Sequence, residues 1–136
     1  MTPSELLDFW INVGESNWLT GGRNPQLDMI IREHFTDTHS AAAMGDLSEW
    51  ENSTEGSLAL IILFDQFSRH IYRGNPNKFY AFDHLALNIS NRVLSEEKDR
   101  PSILQRFYFF PFLHSENLQN LYDAKRYAER RNYVKI

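Results

Sequence analysis

The seven residues Leu58-Ala59-Leu60-Ile61-Ile62-Leu63-Phe64 are apolar on every side of any regular element that they form. A helix at the surface of a protein has a polar face, so this stretch predicts an element that is buried all round. A buried strand has a similar composition, but the chain continues without a break signal to Tyr72, and this length favours a helix. We therefore predict a central, buried helix near residues 54–73.

Signals for helix starts surround this central segment. Thr2-Pro3-Ser4-Glu5 places a capping hydroxyl before a proline and a glutamate, which is typical of a helix N-terminus. No segment alternates with the period of a strand. The sequence predicts an all-α protein of about six helices in antiparallel pairs, forming one domain over residues 1–136. Further starts are predicted at Asn24-Pro25, Asn75-Pro76, Pro101 and Ser115.

The sequence also predicts where helices continue and where they end. The segment 36–40 is poor in helix formers, which allows a bend in the second helix. Pro111 lacks the N–H that a helix interior needs, so it is expected to end the fifth helix. In the fourth helix, apolar residues recur at spacings of three and four, which predicts one continuous buried stripe. The stripe consists of Phe79, Phe82, Ala86, Ile89 and Val93.

The composition limits the classes of partner. Eighteen acidic and 14 basic residues give a net charge of −4, so the overall field repels nucleic acid and anionic membranes, and we expect neither as a partner. The absence of cysteine excludes disulfides and thiolate metal sites. The longest apolar run is the seven residues quoted above, far short of the roughly 20 that span a membrane. With no signal-peptide pattern at the N-terminus, we expect a cytoplasmic protein.

Directly after the apolar run, the predicted central helix becomes polar. Asp65, Arg69 and Arg73 fall within about 80° of one another on a regular helix, with Gln66 alongside. Asp83 interrupts the apolar stripe of the fourth helix, where a carboxylate is costly to bury unless it is paired. We predict that Asp83 forms a structural ion pair with Arg69 or Arg73.

A second group of polar residues is predicted at the start of the last helix. His114, Ser115 and Glu116 lie there, where free backbone N–H groups favour an anion. Together with Asp65, Gln66, Arg69 and Arg73, the residues His114 and Glu116 form a candidate site for an anionic ligand, because the forked guanidinium groups of arginine suit phosphate and carboxylate.

A purely structural interpretation of the same residues stays open. Asp65 and Arg69 are an ordinary pair four residues apart, and arginines near a helix C-terminus complement the helix dipole. Ser115 and Glu116 are common first-turn residues. The basic residues of the last helix are interrupted by Asp123 and Glu129, so we interpret that helix as solvated.

Neither a metal nor a cofactor is predicted. The chain has no HExxH motif, no phosphate-binding loop and no GxGxxG motif. The other histidines do not have the spacing of metal ligands. These are His34, His39, His70 and His84.

Three motifs resemble one bacterial family. They are Leu58 to Arg69, then Tyr72-Arg73-Gly74, and then Phe109 to Glu116. Supported by Asp8-Phe9-Trp10 and by Gly45-Asp46-Leu47 with Trp50, they resemble the domain-of-unknown-function 924 family over nearly the whole chain. The resemblance implies a tetratricopeptide-like helical fold and supplies no activity.

Some residues depart from the family pattern. Ser68 and His70 stand where that family usually has proline and asparagine, and Arg131 stands where a histidine is common. The family also continues with a Phe-Gly-Arg-Phe-Pro-His-Arg-Asn segment and a further helix, so the chain, which ends at Ile136, is expected to be short at its C-terminus. Uncovered apolar surface at that end would favour self-association into a homo-oligomer.

Three functions compete. The first is a tetratricopeptide-like interaction module, whose stacked helices bind a peptide or protein partner. The second is a small-molecule site for an anionic ligand, which in a hydrolytic version uses His114 as general base with Glu116 or Asp65 orienting it. The third is a structural or degenerate fragment. Whether the chain is an enzyme stays open, with a non-enzymatic role favoured, and the decisive observation is whether Arg69, Arg73 and His114 converge on a solvent-reachable cleft.

Overall fold

A computed structural model describes residues 1–18, 24–96, 104–115 and 118–130. Every regular element in these residues is helical, which confirms the predicted all-α class. The helices are α1 Pro3–Val13, α2 Glu15–Trp18, α3 Pro25–Ala43, α4 Thr54–Ile62, α5 Ser68–Ile71, α6 Pro76–Phe79, α7 Asp83–Ser95, α8 Phe110–His114 and α9 Leu118–Arg130. A π-helical segment, Leu63–Phe67, joins α4 to α5, and 3-10 helices span Ser48–Asn52 and Gln105–Tyr108.

The capping signals were correct at both predicted starts in the N-terminal part. The Thr2 hydroxyl accepts a hydrogen bond from the Glu5 N–H at 3.2 Å, and the Asn24 side chain accepts one from the Leu27 N–H at 3.1 Å. Helix α3 then runs without a break through residues 36–40. Packing of its buried residues against the core outweighs the weak helix propensity there.

Helix α4 is the buried centre that the sequence predicts. All residues from Gly56 to Ile62 are buried, and α4 packs on α7, α1 and the 3-10 helix Ser48–Asn52. The close approach of that 3-10 helix requires a glycine, because a Cβ atom at Gly56 would lie 2.0 Å from the carbonyl oxygen of Trp50. Any larger residue at position 56 would separate α4 from its neighbour.

Three predicted helix boundaries were wrong. The central helix is not one regular helix over 54–73, since the π-helical segment interrupts it and α5 ends at Ile71. The predicted fourth helix is divided between α6 and α7, so its stripe is not continuous, and Phe79 and Phe82 are only partly buried. Pro111 lies in the first turn of α8 instead of ending a helix, because a residue in the first turn does not need its backbone N–H for a hydrogen bond within the helix.

The start predicted at Pro101 lies outside the described residues. Across the described ranges, none of the helices is both long enough and apolar enough to cross a membrane.

Candidate functional site

The π-helical segment positions the buried carboxylate of the site. Asp65 lies in its middle, between the apolar end of α4 and the polar residues of α5, and its side chain is 1% exposed. A π-helical turn closes with one residue more than an α-helical turn, so it changes which side chains share a face, and such turns are frequent at functional sites. The interruption therefore occurs where the sequence changes from apolar to polar.

Both carboxylate oxygens of Asp65 are occupied. Oδ1 lies 2.7 Å from Nδ1 of His114, and Oδ2 accepts a hydrogen bond of 2.7 Å from Nε2 of Gln66. His114 comes from α8, 49 residues further along the chain, and its side chain is 31% exposed. The result is a histidine held by a buried carboxylate on one ring edge and open to solvent on part of its surface.

Arg69 contacts the backbone of Asp65. Its Nη1 donates to the backbone carbonyl of Asp65 at 2.6 Å. The guanidinium also binds both carboxylate oxygens of Asp83, at 2.8 and 3.1 Å, so the ion pair predicted for Asp83 forms with Arg69. The rings of Phe79 and Tyr80 lie 5.5 Å from the guanidinium carbon. Arg69 thus holds α5 to the start of α7, close to Asp65.

The charges of this group are nearly balanced. We call Asp65, Gln66, Arg69, Asp83 and His114 the Asp65 cluster. The cluster contains two carboxylates and one guanidinium, and a proton on His114 would bring the formal sum of charges to zero. Nη1 and Nη2 of Arg69 already donate hydrogen bonds to Asp83. The cluster therefore has no excess positive charge that would attract an anion.

Arg73 does not join this cluster, although the sequence places it on the same helix face. Because α5 ends at Ile71, Arg73 is outside the helix, and the expected angular relation to Arg69 does not apply. Its Nε and Nη2 donate to the carboxylate of Asp28 in α3, at 2.6 and 3.2 Å. Arg69 and Arg73 therefore neutralise different carboxylates.

Asp28 is the centre of a second group, which the sequence analysis missed. Its Oδ1 lies 2.6 Å from Nδ1 of His70, so we call Asp28, His70 and Arg73 the Asp28 cluster. Arg32 adds hydrogen bonds from its guanidinium to the carbonyls of His70 and Ile71, at 3.3 and 3.4 Å. These contacts hold α3 against α5.

The titration of the Asp28 cluster follows from its burial. Burial acts to raise the pKa of Asp28, but hydrogen bonds and charges from Arg73 and His70 together outweigh it, so the pKa is lowered. Burial lowers the pKa of His70, and the hydrogen bond and charge of Asp28 oppose this only in part. These shifts favour an ionised Asp28 paired with Arg73.

A third buried contact joins α3 to α5. Nε2 of His39 lies 2.7 Å from Oγ of Ser68, while Nδ1 of His39 is buried without a partner among the described residues. Burial lowers the pKa of His39 to about 4. Ser68 and His70 thus both contact α3.

Of the remaining predicted site residues, Glu116 lies outside the described ranges. Within those ranges, no group of three or more histidine, aspartate or glutamate side chains is arranged to hold a metal ion.

Comparison with known proteins identifies the family. The model of the family described as bacterial protein of unknown function (DUF924) matches residues 6–134. The chain belongs to this family. The DUF924 match spans the Asp28 cluster and the Asp65 cluster alike.

A solved structure gives the same picture of the fold. A protein of unknown function from Agrobacterium tumefaciens superposes on this DUF924 chain with a TM-score of 0.82 and 28% sequence identity. The match covers 96% of this chain and 80% of that one. No curated protein matches the chain. Since neither description names an activity, the geometry of the two clusters carries the functional argument.

Proposed function

We propose that the chain is a small-molecule enzyme of hydrolytic type in which His114 is the general base and Asp65 orients it. The observation that carries the proposal is the 2.7 Å contact between the buried Asp65 carboxylate and a histidine that keeps solvent access. A base of this kind has to meet its substrate on one edge while a fixed group holds the other edge. The Asp65 cluster provides this arrangement.

We propose a role for each side chain on the basis of its contacts. An ionised carboxylate accepts hydrogen bonds and does not donate them, so Nδ1 of His114 carries the proton and Nε2 is the basic atom in the neutral ring. Gln66 fixes the second oxygen of Asp65, which prevents the carboxylate from rotating away. The described contacts give Nε2 of His114 no hydrogen-bond partner and the side chain is 31% exposed, so we assign the contact with substrate to Nε2.

For an ester, the reaction takes two proton transfers. Nε2 of His114 accepts a proton from a water molecule as the water oxygen attacks the carbonyl carbon. The imidazolium, stabilised by Asp65, then returns that proton to the leaving alkoxide as its bond to carbon breaks. The products are a carboxylic acid and an alcohol, so atoms and charge balance.

The anionic-ligand version of the site has a stricter requirement. A phosphate or carboxylate has to displace Asp83 from Arg69 or bind the protonated ring of His114, because no excess positive charge is available in the Asp65 cluster. A neutral or weakly charged ester meets no such requirement, and it is the substrate class that we propose.

The experiment measures hydrolysis of p-nitrophenyl acetate at pH 7.5. His114→Asn removes the basic Nε2 and keeps a donor near the position of Nδ1. His70→Asn is the matched control, since it makes the same change in the other pair of aspartate and histidine. We expect His114→Asn to lose about 100-fold of the protein-dependent rate and His70→Asn to retain it.

Two further arms sharpen this test. Asp65→Asn should lose about tenfold or more if orientation of His114 matters. Inorganic phosphate, compared with sodium chloride at matched ionic strength, should leave the melting temperature unchanged, and a rise would favour the anionic-ligand version. Equal rates in His114→Asn and His70→Asn, with both proteins folded by circular dichroism, would overturn the proposal.

The tetratricopeptide-like interaction module is the second candidate function. The observation that favours it is an apolar groove of about 430 Å³ along α4 and α7, with none of the five members of the Asp65 cluster in its lining. Partner binding there and proton transfer at His114 therefore use different residues, and each function is testable separately.

A further inference from the structure

We propose that this groove binds a peptide segment of another protein that carries apolar side chains flanked by lysine or arginine. The inference rests on the second candidate function, the interaction module, and names its partner by chemistry. Two independent properties of the surface support it: the apolar lining of the groove and the charge of the chain around it.

The groove is lined by the end of α3, the 3-10 helix Ser48–Asn52, α4 with the following π-helical segment, and α7. Its apolar lining comes mainly from Leu60, Phe64, Leu85 and Ile89. The volume of about 430 Å³ is in the range of sites that bind organic ligands or anchoring side chains. The lining thus favours an apolar anchor.

The side of the groove formed by the end of α3 has small residues, and a flexible apolar side chain lies at its edge. Ala42, Ala43 and Gly45 line the groove and present little bulk to an entering side chain. Met44, between them, is 77% exposed. Methionine is unbranched and polarizable, and it is common where a surface adapts to a partner.

The charge on one side of the groove is acidic. Residues 42–51, which form that side, contain three carboxylates and neither lysine nor arginine. Asp46 and Glu49 are exposed beside the lining residues Leu47 and Ser48, and the described contacts give them no ion pair. Arg92 also lines the groove, but it is paired with the lining residue Glu51 at 3.3 Å and with Glu96 at 3.1 Å. A partner with basic residues beside its anchor complements this rim.

A second copy of the chain fits these charges less well. Its most basic described element is α9, with Lys125 and Arg126, but Asp123 and Glu129 lie on the same helix and Lys125 is within 4.0 Å of Glu129. A segment without such acidic residues matches the rim better. We therefore assign the groove to a basic, apolar peptide of a different protein.

The test measures fluorescence anisotropy of a labelled peptide, Gly-Lys-Lys-Leu-Phe-Lys-Lys-Gly, with the full chain. Two comparison peptides replace Leu-Phe by Ser-Ser, or all four lysines by glutamine. In the protein, Ala43→Phe fills the groove from an exposed position, and Glu49→Lys reverses one rim charge. Asp8→Lys is the matched control, because Asp8 is an exposed residue of α1 that does not line the groove.

We expect the parent chain to bind the first peptide at least about tenfold more tightly than either comparison peptide. Ala43→Phe should weaken that binding about tenfold and Glu49→Lys about threefold, whereas Asp8→Lys and His114→Asn should not change it.

Each alternative outcome overturns the proposal in a different way. Equal weakening by Glu49→Lys and Asp8→Lys would mean non-specific charge attraction, and equal binding of the glutamine peptide would mean a purely apolar site. A dimer by light scattering that Ala43→Phe converts to monomer would make a second copy the occupant. Binding unaffected by Ala43→Phe would remove the groove but leave the interaction function, whereas no binding of any peptide would remove both.

Discussion

The molecule contains two buried aspartates that each hold a histidine, and the two histidines differ in exposure. In the Asp28 cluster, Nδ1 of His70 lies 2.6 Å from Asp28 and the histidine side chain is 6% exposed. In the Asp65 cluster, Nδ1 of His114 lies 2.7 Å from Asp65 and the side chain is 31% exposed. Each aspartate is also contacted by an arginine, through its carboxylate in one cluster and its backbone carbonyl in the other.

On this difference we base the structural role that we assign to the Asp28 cluster and the catalytic role that we propose for the Asp65 cluster. In the Asp28 cluster, Asp28 of α3 contacts His70 of α5 and pairs with Arg73, which follows α5. These contacts hold the two helices together and leave little of the imidazole exposed for a ligand. The Asp65 cluster has the same Asp–His contact, but α8 presents the histidine at the surface. A hydrogen bond between a carboxylate and an imidazole is therefore not by itself a sign of function. The criterion that we use is whether solvent or a substrate can reach the histidine side chain.

The largest effect on stability is expected from a substitution in the Asp28 cluster. Asp28→Ala removes the carboxylate shared by His70 and Arg73 and leaves the buried imidazole without its partner. We expect it to lower the free energy of unfolding by about 3 kcal/mol, measured by urea denaturation. His114→Asn keeps a donor to Asp65 and should cost less than about 1 kcal/mol.

Similar decreases in the free energy of unfolding for Asp28→Ala and His114→Asn would contradict the difference that we draw between the two clusters. If Asp28→Ala lowers the free energy of unfolding by less than His114→Asn does, the Asp28 cluster does not hold α3 to α5.

A smaller effect is expected from the pH dependence of stability. Burial lowers the pKa of His39 to about 4, against an ordinary value of about 6.5 in the unfolded chain. Between these values the unfolded state binds more protons, so stability is complete above about pH 6.5 and falls as the pH decreases toward 4. His39 alone should cost about 2 kcal/mol between pH 7 and pH 5. The lowered pKa of His70 acts in the same direction.

Urea denaturation at both pH values tests this expectation in the parent chain and in His39→Gln, which keeps a group near Nε2 for Ser68. The loss of stability on acidification should shrink in His39→Gln and stay unchanged in His34→Gln, since His34 is exposed. Equal losses in all three proteins would show that His39 does not titrate as described.

Much of the fold was predictable because its signals are local. The caps at Thr2 and Asn24 satisfy N–H groups within one turn, and the apolar run Leu58–Phe64 requires burial whatever surrounds it. The π-helical segment was not predictable, since the same apolar residues fit either hydrogen-bonding pattern. It is the packing of distant helices that selects one.

The two clusters show the same limit. The need of Asp83 for a partner was readable because it interrupts an apolar stripe, and Asp28 interrupts the stripe of Ile31 and Phe35 in the same way, so that signal was available and was missed. The contact of Asp65 with His114 spans 49 residues and depends on where α8 packs. The candidate site proposed from the sequence included both residues, but no spacing in the sequence encodes their contact.

The central claim is that His114 is a reactive histidine oriented by Asp65, whereas the side chain of His70 is buried and inaccessible to reagents. Its most direct test is the rate of acylation of each histidine by diethyl pyrocarbonate at pH 7.5, followed by peptide mass spectrometry. The exposed residues His34 and His84 provide the reference rate. We predict that His114 reacts faster than this reference, that His70 is protected, and that Asp65→Asn reduces His114 to the reference rate. A rate for His114 no higher than that of His34 and His84, or a rate for His70 equal to that of His114, would contradict the account.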